Sequence, residues 1–127
     1  MQHILMGFSF AKQMHKKTGR KILLVVNARG GSTIEEWDKD NKVKSYYGEA
    51  VRRTKSAMEY GKLTAILWHQ GEQNSEAPGD YMNKLEKFVR EIQSHLNSPN
   101  PPFIAGGIAH WWQPNASKFN PIINRIS

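Results

Sequence analysis

Residues 63–75, LTAILWHQGEQNS, decide the fold class. An apolar run of strand length ends at Trp68 and passes directly into His69, Gln70, Gly71, Glu72, Gln73, Asn74 and Ser75. Loops displayed at the ends of a rigid scaffold commonly hold working groups. The alternative is an ordinary polar turn, so the reading depends on the surrounding chain.

Upstream, KILLVVNA at 21–28 is apolar, β-branched and without alternation, as expected of a strand buried on both faces of a parallel sheet. Downstream, FIAGGIA at 103–109 predicts a third, shorter strand. The intervening segments carry helical spacing. In residues 8–18, Phe10, Ala11 and Met14 share a side, and Gly19 follows as a C-terminal cap. Residues 45–61, SYYGEAVRRTKSAMEYG, place Tyr47, Ala50, Val51, Thr54 and Met58 on one stripe, and Gly61 ends it. Pro78 and Asp80 open a long amphipathic helix in which Tyr81, Leu85, Phe88, Val89, Ile92 and Leu96 recur at helical steps. The Asp80 carboxylate suits the positive end of that helix dipole. SPNPP at 98–102 is a stiff connection, and KFNPIINRIS at 118–127 is weakly helical.

The order α-β-α-β-α-β-(α) predicts an α/β fold, a parallel sheet covered by helices on both faces with right-handed crossovers. Ligands in such sheets sit beyond the carboxyl ends of the strands. Two loops fall at that edge, NARGGST at 27–33 and HQGEQNS at 69–75. They converge if their strands are close in the sheet.

Bulk composition narrows the function classes. The 127 residues are 39% hydrophobic and 23% charged, which suits one domain with a real core and leaves little room for a second. There is no cysteine, so neither a disulfide framework nor a thiolate metal site can form. The longest apolar run, ILLVV, is too short to span a bilayer, so no membrane partner is expected. MQHILMGFSF lacks the basic start and long apolar core of a signal peptide. The net charge of +7 invites a nucleic-acid reading, but the basic residues are scattered and no aromatics interleave with them. Solvated helix faces account for them, and no nucleic-acid partner is expected.

The two loops offer specific chemistry. Gly30 and Gly31 allow main-chain N–H groups to approach an anion, or serve a tight turn. The phosphate-loop pattern is absent, since no Gly-Lys-Ser/Thr follows. His69 and Glu72 supply two metal ligands at most, so no metal and no cofactor is expected. His3, His15 and His95 read as helix or terminal residues, and His110 follows a strand end. A glycine N–H beside a side-chain amide is what an oxyanion hole requires, and losing one such donor raises the barrier by roughly 3–4 kcal/mol. Glu35, Glu36 and Glu72 leave open a glycosidase, which needs two carboxyl groups about 5–10 Å apart. A non-catalytic carbohydrate- or protein-binding domain is a further reading.

The segments NARGGSTIEEW, YYGEAVRRTKSAMEYGKLTAILWHQGEQNS and PFIAGGIAHW resemble the sialate O-acetylesterase and acetylxylan esterase branch of the SGNH (GDSL-like) hydrolases. WHQGE at a strand-to-loop junction, paired with an upstream GGS…W, carries the resemblance, which covers nearly the whole chain. It implies a three-layer α/β/α sandwich with a flavodoxin-like parallel sheet. It implies hydrolysis of acetyl esters on carbohydrates by a Ser-His-Asp mechanism without metal. Members are often secreted or periplasmic, and the oligomeric state is left open.

Position by position, the resemblance makes Gly30 and Gln70 the oxyanion-hole donors. Gly31, Trp37, His69, Gly71 and Glu72 become substrate-binding or loop-shaping residues. The chain departs from the pattern at Gly107, where relatives often have Glu. It also contains neither the GQSN-like nucleophile motif nor the DxxH motif of the base, and Ser32 belongs to the glycine loop. The expectation is therefore a partial domain over 1–127, lacking the nucleophile strand and the C-terminal His segment, and inactive by itself. In the implied strand order the absent strand lies between KILLVVNA and LTAILW.

Overall fold

A computed structural model describes residues 2–98, 100–111 and 113–126, the side chains of residues 2–5 excepted. His3, Pro99 of the stiff connection and Ser127 at the end of the weak helix therefore lie outside the described side chains or residues.

The α/β class expected from the sequence is observed. Helix α1 spans Gln2–Thr18, α2 Tyr46–Ala57, α3 Tyr81–His95 and α4 Ala116–Ile123. Strands β1, Ile66–Trp68, and β2, Phe103–Ala105, pair in parallel with Ile66 opposite Phe103 and Trp68 opposite Ala105. The ladder is extended by Ile66 N–H donating to Pro102 O and Gly106 N–H to Trp68 O, both at 2.9 Å. A single 3-10 turn at Ile34–Trp37 follows the first expected loop, and another at Glu72–Asn74 lies within the second.

The segment 21–28 corrects the expectation of a first strand. It has no regular secondary structure, and Leu23 is 63% exposed. Its composition favours a strand, but a strand exists only through ladder bonds to a neighbour. β1 takes its partner from β2, on the other side. A cavity of about 470 Å³ is lined by residues 22–29 on one wall and 63–70 on the other. The two remaining strands are also shorter than the apolar runs suggest, because pairing stops where the partner stops.

The helices follow their sequence signals except at two ends: α1 begins at Gln2 rather than near Phe8, and α2 ends at Ala57, short of Gly61. Gly19 adopts φ +70° and its N–H caps His15 O at 2.7 Å, so α1 ends where the glycine predicts. Within the predicted stripe of α1, Ala11 is buried and Met14 exposed. In α2 the buried positions are Tyr47 and Ala50. In α3 Tyr81, Leu85, Phe88 and Ile92 are buried and Leu96 continues the stripe past the helix end. Thr33 N–H donates to the Glu36 carboxylate at 2.8 Å, half of a reciprocal cap that opens the first 3-10 turn.

The core is aromatic. Phe88 of α3 meets Trp68 at 4.8 Å between ring centroids, Tyr47 at 5.9 Å, Trp37 at 6.4 Å and Phe103 at 6.4 Å. Trp37 also meets Trp68 edge-on at 5.7 Å. One ring therefore joins α2, α3, both strands and the first 3-10 turn. Such pairs add about 0.5–1.5 kcal/mol each beyond area burial. Phe88→Ala is expected to destabilise by about 3–5 kcal/mol. Val43, 87% exposed, is the control, and Val43→Ala is expected to change stability by less than about 0.5 kcal/mol. Urea denaturation of the two variants checks both values.

Candidate functional site

The loops at 27–33 and 69–75 meet through one side chain. Gln70 is 6% exposed, and a buried primary amide must find partners for its oxygen and both hydrogens. Its Nε2 donates to Ser32 O at 2.8 Å and to Asn74 Oδ1 at 2.8 Å. Its Oε1 accepts from the Tyr81 hydroxyl at 2.8 Å. The backbone O of Gln70 lies 2.9 Å from the same hydroxyl. The expected donor thus stands between the two loops, with both amide hydrogens directed to protein acceptors. A substrate oxygen could receive one only by sharing it.

The glycine loop offers unshared donors. No hydrogen bond is formed by the N–H of Gly30 or Gly31 to another described group, while Ser32 N–H turns back to Arg29 O at 3.4 Å. Gly31 has φ +72°, the left-handed conformation that a tight turn asks of glycine. Gly31, Ser32, His69, Gln70, Glu72 and Gln73 all line the 470 Å³ cavity; Gly30 is not part of its wall.

Ser32 is held as a structural residue. Its hydroxyl donates to Arg29 O at 2.9 Å and accepts from Trp37 Nε1 at 2.9 Å. Among the described residues no hydrogen bond joins it to a histidine that could take its proton. Trp37 is buried among Tyr46, Trp68 and Phe88, and its indole N–H is what anchors the glycine loop to that core.

The three candidate carboxylates differ in setting. Glu36 caps the turn through Thr33. Glu35 receives Lys84 Nζ at 2.8 Å and Asn74 Nδ2 at 3.1 Å. Burial opposes its ionisation, but the Lys84 and Asn74 hydrogen bonds outweigh it and hold the carboxyl at about 2. Glu72 opens the second 3-10 turn, where Ser75 Oγ donates to its carbonyl at 2.7 Å. Glu35 and Glu36 are thus occupied in holding loops together. Among the described residues no group of three or more His, Asp or Glu side chains could hold a metal ion. No described helix is long and apolar enough to cross a membrane.

Two glycines make room for other parts of the site. Gly71 has φ +156°, and a Cβ there would lie 2.3 Å from the Phe119 ring of α4. Phe119 is fully buried and packs edge-on against Tyr81 at 4.9 Å. A Cβ on Gly107 would lie 2.9 Å from Asn120 Oδ1. That side chain accepts Ile108 N–H at 2.8 Å and donates to Ile108 O at 2.9 Å. Glycine at 107 leaves room for Asn120, which supplies local support of the loop. His69 Nε2 contacts Gly107 O at 3.2 Å, tying the loop after β1 to the one after β2. His110 faces Asn120 Nδ2 at 3.2 Å and does not line the cavity.

Sequence reading missed Tyr81, Asn74, Phe119 and Asn120 as site supports. Tyr81 and Phe119 occupy apolar helical positions, where an aromatic reads as core. Asn74 lies inside the polar cluster, but only its contacts at sequence separations of about forty single it out.

Gly71→Ala must move the Phe119 ring and strain the backbone, and a loss of about 1–3 kcal/mol in urea denaturation is expected. Glu35 gives a pH signature. Its folded value lies below its ordinary 4.5, so the stability it contributes is present above that value and lost as pH falls through about 2. The stability gap between the protein and Glu35→Gln is expected to be full at pH 6 and to close toward pH 2. A gap independent of pH would exclude the ionised pair as its source.

The family model for carbohydrate esterases described as sialic acid-specific acetylesterase matches residues 1–126. A curated Arabidopsis thaliana protein named "Probable carbohydrate esterase" is 30% identical over 109 residues, covering 82% of this chain and 41% of its own length. The X-ray structure of that Arabidopsis protein superposes with a TM-score of 0.77 at 28% identity, covering 91% of this chain and 49% of the other. The chain thus spans about half the length of the relatives it matches. With the match running through both loops and all the elements that hold them, this chain belongs to the carbohydrate esterase, sialic acid-specific acetylesterase family.

Proposed function

We propose that this chain carries the oxyanion side of an acetylesterase that removes O-acetyl groups from carbohydrates, of sialate or xylan type. The observation that supports it is the buried Gln70 amide, turned toward the glycine loop at Ser32 O on the wall of a cavity. In this reading the acyl oxygen of a substrate sits at the edge of the cavity and is received by the N–H of Gly30, whose neighbours Arg29 and Gly31 line the wall, and by the Gln70 amide, which shares the hydrogen now directed to Ser32 O. Three-centre sharing of this kind is ordinary for N–H donors. Such donors act on charge that develops in the transition state, in a site where water is largely excluded. Gly31, Trp37, His69, Gly71 and Glu72 shape the loops around that oxygen. The fold of the whole enzyme in this reading is a three-layer α/β/α sandwich.

The nucleophile and base of a Ser-His-Asp mechanism are assigned to parts of such a protein outside these 127 residues. Ser32 already donates its hydrogen to a carbonyl, and relatives are about twice as long. A strand in the cavity between 21–28 and β1 would bring its carboxyl end to the two loops. Without an activated serine and a base, an oxyanion hole leaves acceleration of about 10³-fold over water.

Two measurements test the reading. In the natural gene product, acetate release from O-acetylated sialic acid and from acetylated xylo-oligosaccharides is followed with and without Gln70→Ala. A kcat lowered about 10²–10³-fold with KM little changed is expected of a donor acting on the oxyanion. A raised KM with unchanged kcat would make Gln70 a substrate-binding residue. Binding of sugar with no acetate released from any substrate would favour a non-catalytic carbohydrate-binding domain. For the 127-residue chain alone, p-nitrophenyl acetate turnover is expected to stay far below an enzymatic rate and to be the same in Ser32→Ala. Robust turnover abolished by Ser32→Ala would make Ser32 the nucleophile.

A further inference from the structure

We infer that Tyr81 is a positioning residue that sets which way the Gln70 side-chain amide faces. Its effect on turnover rests on the acetylesterase reading, while its effect on the amide does not. Tyr81 is the first residue of α3 and is fully buried. Its single phenolic hydrogen reaches both oxygens of Gln70, Oε1 at 2.8 Å and the backbone O at 2.9 Å. One donor therefore fixes the side chain and the main chain of the same residue. Trp68 Nε1 donates to the Tyr81 oxygen at 3.2 Å, which leaves the phenolic hydrogen directed at Gln70. Burial raises the phenol above its ordinary range, against the opposing Trp68 hydrogen bond, which favours the neutral, hydrogen-donating form.

The remaining partners cannot exchange roles. Ser32 O only accepts. Asn74 Oδ1 accepts Ile34 N–H at 2.9 Å as well as Gln70, and its Nδ2 is directed to the Glu35 carboxylate. A Gln70 amide turned by half a rotation would set its oxygen against two acceptors. Tyr81 is the donor that holds Oε1 in the other direction. Removing its hydroxyl leaves a buried carbonyl oxygen without a donor and lets the amide leave the geometry in which Nε2 faces the glycine loop. The phenyl ring stays behind in Tyr81→Phe, with its packing against Phe119.

The test combines side-chain amide exchange and kinetics in the natural gene product. In the parent protein the Gln70 side-chain amide hydrogens, observed by NMR, are expected to exchange at least about tenfold more slowly than those of the exposed Gln73. In Tyr81→Phe that protection is expected to vanish while the backbone amides of β1 stay protected. Acetate release is expected to lose about tenfold in kcat with KM held within about twofold, the split of an interaction felt in the transition state. In a Gln70→Met background Tyr81→Phe is expected to change kcat no further, since it acts through Gln70.

Unprotected Gln70 hydrogens in the parent protein, or protection unchanged in Tyr81→Phe, would overturn the proposal. So would a kcat loss that persists in the Gln70→Met background, or unchanged kcat with a mobile amide. Should Tyr81→Phe not fold, the Tyr81 hydroxyl hydrogen of the parent protein is observed by NMR: a slowly exchanging resonance close to the Gln70 side chain is expected, and a hydroxyl hydrogen in rapid exchange with water overturns the proposal. If the parent protein releases no acetate, the acetylesterase reading fails and the amide measurement alone decides the role of Tyr81.

Discussion

The site depends on the burial of one amide. Gln70 follows β1 and is buried to 6% exposure, so its oxygen and both hydrogens must find partners in the protein. Its partners come from the glycine loop, from the 3-10 turn that follows and from the first residue of α3. A single residue therefore requires three separated segments to meet. Asn74 extends the connection to Ile34 and Glu35, and Glu35 reaches Lys84 on the exposed side of α3. The result is a continuous polar path from a surface ion pair to the cavity wall. A fully satisfied network of this kind holds one geometry, whereas a half-satisfied one would be costly. No buried side-chain polar atom is left without a partner among the described residues.

Around that path the core works through size. Phe88 and Trp37 fix the relation of α2, α3, the strands and the glycine loop by ring contacts. On the other side, glycines admit neighbours that any side chain would exclude. Phe119 occupies the space of a Gly71 side chain, and Asn120 the space of one on Gly107. Both belong to α4, so the last helix presses on the loops after both strands.

The apolar run 21–28 has the composition of a buried strand and lies beside a cavity instead of a neighbour. Helices close their own hydrogen bonds within the segment, so α1 and α3 form wherever caps and periodicity direct them. A strand closes none of its own. Its existence is a property of a pair, and the pair includes a partner that local sequence cannot name.

The sequence by itself determined what local physics settles. It placed the helices by apolar stripes, with the glycine stop right for α1 and too late for α2, pointed to WHQGE and GGS as two loops that converge, and carried the α/β class through alternation. Gln70 was singled out by its motif and Phe88 by its place in the stripe. Tertiary structure decided which strands exist, because pairing is non-local. It decided that both Gln70 hydrogens face protein acceptors and that Tyr81 holds the amide from behind. A tyrosine on a helix stripe reads as core until its hydroxyl is seen to have a destination. Only the packed structure shows that destination, since the donor and the oxygens it reaches are eleven residues apart in sequence and 2.8–2.9 Å apart in space.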